Sequence, residues 1–212
     1  PTGAAWRAAG DIVGGRRAAT IEQLEQLCAA YDSAKETPTC ANLSGDSSDG
    51  AAASVPTYDI DGTGMFVVGS EVKPGLYKAT GDGYLALLKD AEGTTDSIIA
   101  NHNDENQTYV QIKSSDKYFE TNRFDGWTKV PAKPKKAIKK SFPGTGTYMV
   151  GVDIAPGTYK CSGSGYWERM SDARHDFDSI IANDNQDNGA IISVKASDRF
   201  LNVARFDSCK LM

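Results

Sequence analysis

The chain carries two histidines, His102 and His175, and 28 acidic residues among its 212. Such groups can do acid–base or metal chemistry when spacing brings them together. The local motifs that achieve this are missing: there is no HExxH, GxSxG, Walker A loop or dinucleotide fingerprint. Three aspartates recur at a fixed offset, as Asp96/Asp178, Asp116/Asp198 and Asp125/Asp207. Paired carboxylates can ligate Ca²⁺ or exchange protons. Yet Asp116 with Arg123, and Asp198 with Arg205, read more simply as ion pairs across a hairpin. The runs Asn101–Asn106 and Asn183–Asn188 are rich in side-chain oxygen, and from Asp184 the second begins like an EF-hand loop. It fails at the twelfth position, where Lys195 replaces the bidentate Glu. Asn and Asp also cap their own backbone in turns. The expectation is therefore no catalytic residue, no metal site and no cofactor, in a protein that is not an enzyme.

The elements that position these residues come in two copies. Residues 62–79 read GTGMFVVGSEVKPGLYKA and residues 144–161 read GTGTYMVGVDIAPGTYKC, an offset of 82. The offset holds without a gap to the C-terminus, with 28 identities over 69 aligned positions. Neither histidine is shared: His102 lies over Asp184, and His175 over Gly93. Each copy reads as short strands separated by turn residues. In the first copy they fall near 64–69, 75–80, 84–89, 96–102, 108–114 and 117–124. Tyr109, Gln111 and Lys113 alternate with Val110, Ile112 and Ser114, the period-two pattern of a half-buried strand. Pro74-Gly75 and Pro156-Gly157 read as type II turns. Core positions are Val68/Val150, Tyr77/Tyr159, Ile98/Ile180, Ile99/Ile181, Ile112/Val194 and Phe124/Phe206.

The fold class is mainly β, with two tandem β-sandwich or barrel-like modules behind a short α-helical N-terminal segment. The boundaries are 1–43 for that segment, 44–56 for a linker, 57–130 for the first module, 131–143 for a Lys/Pro-rich linker and 144–212 for the second module. In the N-terminal segment, Thr20 opens a helix with Gln23 as capping-box partner. Ile21, Leu24, Leu27, Cys28 and Tyr31 form its apolar stripe, and Ala4–Val13 reads as an earlier short helix. So short a segment must dock on a module, self-associate or bind a partner.

Aromatic and charged residues supply the best ligand contacts. Tyr84 and Tyr166 recur, whereas Trp167, Glu168 and Arg169 replace Leu85, Ala86 and Leu87. Copy two thus offers a polar, aromatic stretch where copy one is apolar, and Trp and Arg are typical interface anchors. The simpler reading is a Trp packed in the core.

Four cysteines remain: Cys28, Cys40, Cys161 and Cys209. None forms CxxC, and no zinc-type Cys/His spacing is present. Cys161 replaces Ala79, and Cys209 replaces Trp127, a joint change that a bonded pair would require. The pairing expected is Cys161–Cys209 and Cys28–Cys40; the alternative is four buried free thiols. Disulfides persist in oxidising places.

Charge narrows the partners. A net charge of −5 argues against nucleic acid, and no window approaches the roughly 20 apolar residues of a membrane helix. The five lysines of 131–143 suit a solvated linker or contact with an anionic polymer.

The run VGxDIxPGxY at Val150–Tyr159, looser at Val68–Tyr77, is followed by Gly165-Tyr166-Trp167-Glu168-Arg169 and then by DSIIANDN from Asp178. It resembles a small module of actinobacterial secreted proteins and lipoproteins, often in tandem, and modules of viruses of those hosts. The resemblance spans both repeats. Its members often carry Cys just before YW and another in a GC-x-x-W ending. Here Gly165 precedes Tyr166 and the endings are FDGWTKV and FDSCKLM, so that family disulfide is not carried over. The resemblance implies an extracytoplasmic address (secreted, cell surface or virion exterior) and transfers no functional residue. The function expected is a non-enzymatic binding module for a protein or a cell-envelope glycan. The alternative is a structural or accessory subunit of an envelope complex or virus particle, anchored by the N-terminal segment.

Overall fold

The computed structural model describes residues 56–212, which cluster as one compact unit. The expected helices, the Cys28–Cys40 pair and all of the first linker but Pro56 lie outside the described residues. Copy one consists of β1 (Ile60–Asp61), β2 (Gly64–Val67), β3 (Gly75–Leu88), β4 (Ile98–Asp104), β5 (Gln107–Ile112) and β6 (Tyr118–Lys129). Copy two consists of β7 (Ser141–Pro143), β8 (Gly146–Met149), β9 (Gly157–Ser162), β10 (Gly165–Met170), β11 (Ile180–Gln186), β12 (Ala190–Val194), β13 (Phe200–Ala204) and β14 (Ser208–Leu211).

In copy two these strands make two antiparallel sheets, β11-β10-β13-β8 and β12-β9-β14-β7. Copy one has the same pairing, except that β3 and β6 each run through both sheets. The chain bends between sheets where the sequence permits positive φ, at Gly81 (98°) and Gly163 (80°). The second bend uses a residue other than glycine, Arg123 (68°) and Arg205 (67°). Each copy is therefore a two-layered antiparallel sandwich whose hydrogen-bonded neighbours are mostly not consecutive in the chain, and neither closes into a barrel. Sequence reasoning missed β1, β7 and the second half of β6. The first two are too short to show a period, and Gly126 interrupts the third.

Residues repeated in both copies hold the turns. Tyr77 Oη donates to the Lys73 carbonyl and Tyr159 Oη to the Ala155 carbonyl, each at 2.7 Å. Asp116 accepts from Lys113 N and Asp198 from Lys195 N, each at 2.8 Å. The expected ion pairs Asp116–Arg123 and Asp198–Arg205 do not form: Asp116 pairs with Arg174 and Asp198 with Arg169. Nor are the Pro-Gly pairs type II turns. Gly75 does not have positive φ, Gly157 lies at 156°, and both open strands. A Cβ there would meet the ends of the Lys129 side chain in copy one and the Leu211 side chain in copy two.

The two cores are filled differently. In copy one Trp127 is fully buried, edge-on to Phe119 and Phe124, and donates its indole N–H to Thr121 Oγ1 at 2.9 Å. Trp127 sits opposite Ala79 across β6 and β3. In copy two the same opposed positions are Cys209 and Cys161, and they form a disulfide. Phe142, Tyr148 and Tyr159 fill the space beside it. Of the expected core, Ile99 and Ile181 instead stand exposed (38% and 46%), because the edge strands β4 and β11 turn them outward.

The disulfide closes a 48-residue separation, which in the chain-entropy model stabilises by about 4 kcal/mol. Replacing Cys161 and Cys209 together by Ala should lower the melting temperature by roughly 8–16 °C. Reduction of the wild type should do the same, as read by calorimetry.

Candidate functional site

Three strands of copy two's first sheet, β8, β10 and β13, are largely buried on both faces, whereas the edge strand β11 is not. β8 shows no exposed residue and β13 only a half-exposed end. Their outward side chains, Met149 and Phe200, meet Tyr109 of β5 in an apolar patch with Met170 and Ala173. This also explains why Tyr109, expected on a wet face, is 2% exposed. The equivalent strand β12 keeps the open alternation, and Ile191, at the Tyr109 position, is 61% exposed.

A polar ring surrounds that patch. Asp153 accepts from Tyr109 Oη (2.6 Å), Met149 N (2.9 Å) and Lys78 Nζ (3.1 Å). Gln107 Nε2 donates to the Thr147 carbonyl at 2.8 Å, and Gln111 N to the Ala173 carbonyl at 2.8 Å. Arg174 Nη1 donates to Asp116 Oδ2 at 2.6 Å, with both side chains almost fully buried. Burial, with Asp153 adding to it, pushes the Tyr109 phenol well above its usual range.

At one end of this ring the two histidines meet. Their rings stack with centroids 4.1 Å apart and planes 13° from parallel. His102 Nε2 is 2.7 Å from Asn202 Nδ2, which also donates to Thr147 Oγ1 at 3.1 Å; Thr147 in turn donates to Asp104. His175 Nε2 is 2.8 Å from the Tyr109 carbonyl, so the proton sits on Nε2. Burial first, then the neighbouring His102 ring, holds His175 well below the usual imidazole range, against the pull of the Tyr109 carbonyl.

The expected contact residues divide between two faces of β10. Tyr166 and Glu168 point toward the histidines, and Tyr166 Oη donates to Glu168 Oε2 at 2.7 Å. Burial and Glu168 push the Tyr166 phenol up to about 12, although the Asn183 hydrogen bond opposes them. Trp167 packs against copy two's core, and Arg169 bonds inward to Asp198 (3.3 Å) and the Ser193 carbonyl (2.9 Å). Glu168 and Arg169 are under 10% exposed. The four residues therefore do not form one exposed patch. Tyr84 is half-buried in copy one, opposite Asn103 on β4. His102, Glu168 and His175 do come together, with one donor atom of each within 4.8 Å of the others. Their signal in the sequence was asymmetry: each stands where the other copy has a different residue.

The Lys/Pro-rich stretch is not a free tether. Ala137 N and Lys139 N donate to the Val152 and Asp153 carbonyls at 2.8 and 2.7 Å, and its five lysines stay exposed.

Fold and disulfide define a tandem β-sandwich protein of an oxidising compartment. The Rv1352-like extracellular domain model matches residues 58–128 and again 140–208, so the chain belongs to that family and carries two copies of its domain. No curated protein and no solved structure matches it. The family and the Cys161–Cys209 bond place it outside the cytoplasm. Among the described residues, no helix is long and apolar enough to cross a membrane.

Arg174→Ala leaves the Asp116 carboxylate buried without its cation, and should cost about 3–5 kcal/mol. Adding Asp116→Ala should cost much less than the sum of the two single changes, as a denaturant double-mutant cycle would show. The His175 shift also has a pH consequence. Its folded pKa lies below the unfolded value of about 6.5, so its contribution is complete above that pH and is lost as pH falls below it. Between pH 7 and 5, in chelator-containing buffer, wild-type stability should fall by up to about 1.4 kcal/mol per pH unit more than that of His175→Gln.

Proposed function

We propose that the two modules form a non-enzymatic binding unit that recognises a cell-envelope glycan or a protein. The supporting observation is an open cleft of about 300 Å³ beside the junction, lined by Asp82, Asn103, Glu105, Arg123 and Arg205 among others. Arg123 and Arg205 are the same residue of each repeat, both exposed and both held at positive φ. Among the described residues neither guanidinium has an ion-pair partner, and Arg205 makes one long hydrogen bond, 3.4 Å to Asn185. Forked donors beside acids and amides suit the hydroxyls and carboxylates of a polysaccharide.

The second reading, an accessory subunit of an envelope assembly, draws on exposed apolar residues. Phe177 is 93% exposed, and Ile191 repeats on copy two the position through which Tyr109 grips its neighbour. Such side chains anchor protein contacts.

One experiment separates the two. Asn tolerates positive φ, so Arg123→Asn with Arg205→Asn should keep the fold and weaken retention on purified cell-wall polysaccharide at least tenfold, or about 1.4 kcal/mol. Unchanged retention, or no retention of the wild type, removes the glycan reading. Stoichiometric co-purification with an envelope complex, lost in Phe177→Ser with Ile191→Ser, would establish the subunit reading instead.

A further inference from the structure

We propose that the junction binds a zinc ion between the copies, held by His102 of the first and by Glu168 and His175 of the second. The donor atoms of the three lie within 4.8 Å of one another. Two imidazoles and a carboxylate, with a fourth position left to water, are a donor set that zinc takes and that calcium, which prefers oxygen alone, does not.

Two of the three ligands carry an unmet need that the ion would satisfy. His175 keeps its proton on Nε2 against the Tyr109 carbonyl, and its Nδ1 lone pair is buried without a partner. This is the tautomer a metal requires, fixed by a backbone acceptor behind the ring. Glu168 is 6% exposed, yet among the described residues no Lys, Arg or His nitrogen lies within 4.0 Å of its carboxylate. A buried carboxylate without a cation is costly. Tyr166 Oη occupies Oε2 and leaves Oε1 for the ion.

His102 supplies the entry path, since its side chain is 20% exposed. Behind its Nε2 stand Asp104 at 3.5 Å and the Asn202 amide, whose Oδ1 is buried without a partner. A turned Asn202 amide, or Asp104, would accept a proton from Nε2 and free Nδ1 for the metal. The stacked rings must open for this, because nearly parallel planes send the two lone pairs side by side. His102, at the rim, is the ring that would have to turn, and Asp104 and Asn202 stand beside it. The donors must also draw in to roughly 4 Å or less, as zinc bonds of about 2.0–2.2 Å require. The ion would clamp the copies together, independently of what the cleft recognises.

The test uses the full chain without an affinity tag, stripped with EDTA and titrated with zinc chloride, then with calcium chloride. One zinc should bind per chain with a Kd at or below about 10 µM. At a hundredfold excess over Kd it should raise the melting temperature by about 5–10 °C. His102→Ala and Glu168→Gln should each weaken binding at least about tenfold without changing the near-ultraviolet circular dichroism. His175→Ala is the less safe variant, being packed inside the junction. Cobalt in place of zinc should give the absorption of a tetrahedral site in the wild type and lose it in His102→Ala. No saturable zinc binding by the wild type, a preference for calcium, or binding that persists in His102→Ala and Glu168→Gln would each overturn the proposal.

Discussion

Asp153 is the group around which the two copies close. It stands between them at 5% exposure and gathers Tyr109, Lys78 and its own turn's Met149 N–H. A carboxylate in such a place is held only while all its donors are present, and those donors come from both copies. Parting the modules would return these polar groups to water but would expose the apolar Tyr109 patch. That makes the pair, rather than the module, the unit in which this surface is stable. Roughly seventy residues enclose a marginal core in any case, and the junction adds a shared third one.

The same shortage explains how the copies diverged. Copy one fills its centre with Trp127, and a buried indole N–H needs an acceptor, which Thr121 supplies. Copy two has Cys209 at the Trp position and Val203 at the Thr position, so the acceptor went when the donor did. The disulfide then holds what the large ring held. On the outer faces the pattern reverses. Copy two's β8, β10 and β13 carry residues chosen for a neighbour, and copy one's β5 carries Tyr109 where copy two has Ile191.

Much of the architecture was legible because the repeat doubles every signal. Strand positions, most of the shared core and the Cys161–Cys209 bond follow from comparing one copy with the other. What escaped was set by contacts between copies. Asp116 was paired with Arg123 because both recur, yet its partner Arg174 has Glu92 as its counterpart and so lay outside any argument from shared positions. Tyr109 was placed on a wet face because alternation reports a sheet's own two sides and not what later covers one of them. Residue type alone marks Trp167 and Arg169 as contact residues, and it does not show that β10 packs Trp167 against copy two's core and bonds Arg169 to Asp198. Short strands such as β1 and β7 carry too few residues to show any period.

The residues that matter at the junction are then those a duplication does not preserve. Two copies of one gene segment begin with identical faces, and identical faces cannot both be the outer wall of one and the inner wall of the other. Asp104, Tyr109 and His102 on one side, with Asn202, Arg174 and His175 on the other, are the side chains by which the copies became complementary instead of alike. Packing required only that these positions become apolar and well fitted. They became instead a carboxylate, a phenol, an amide, a guanidinium and two imidazoles, three of them with a buried atom left unpartnered. Polar groups drawn into a contact and left short of partners cost stability, so the choice of histidine at both stacked positions is better explained by something the pair holds than by the packing of the copies alone.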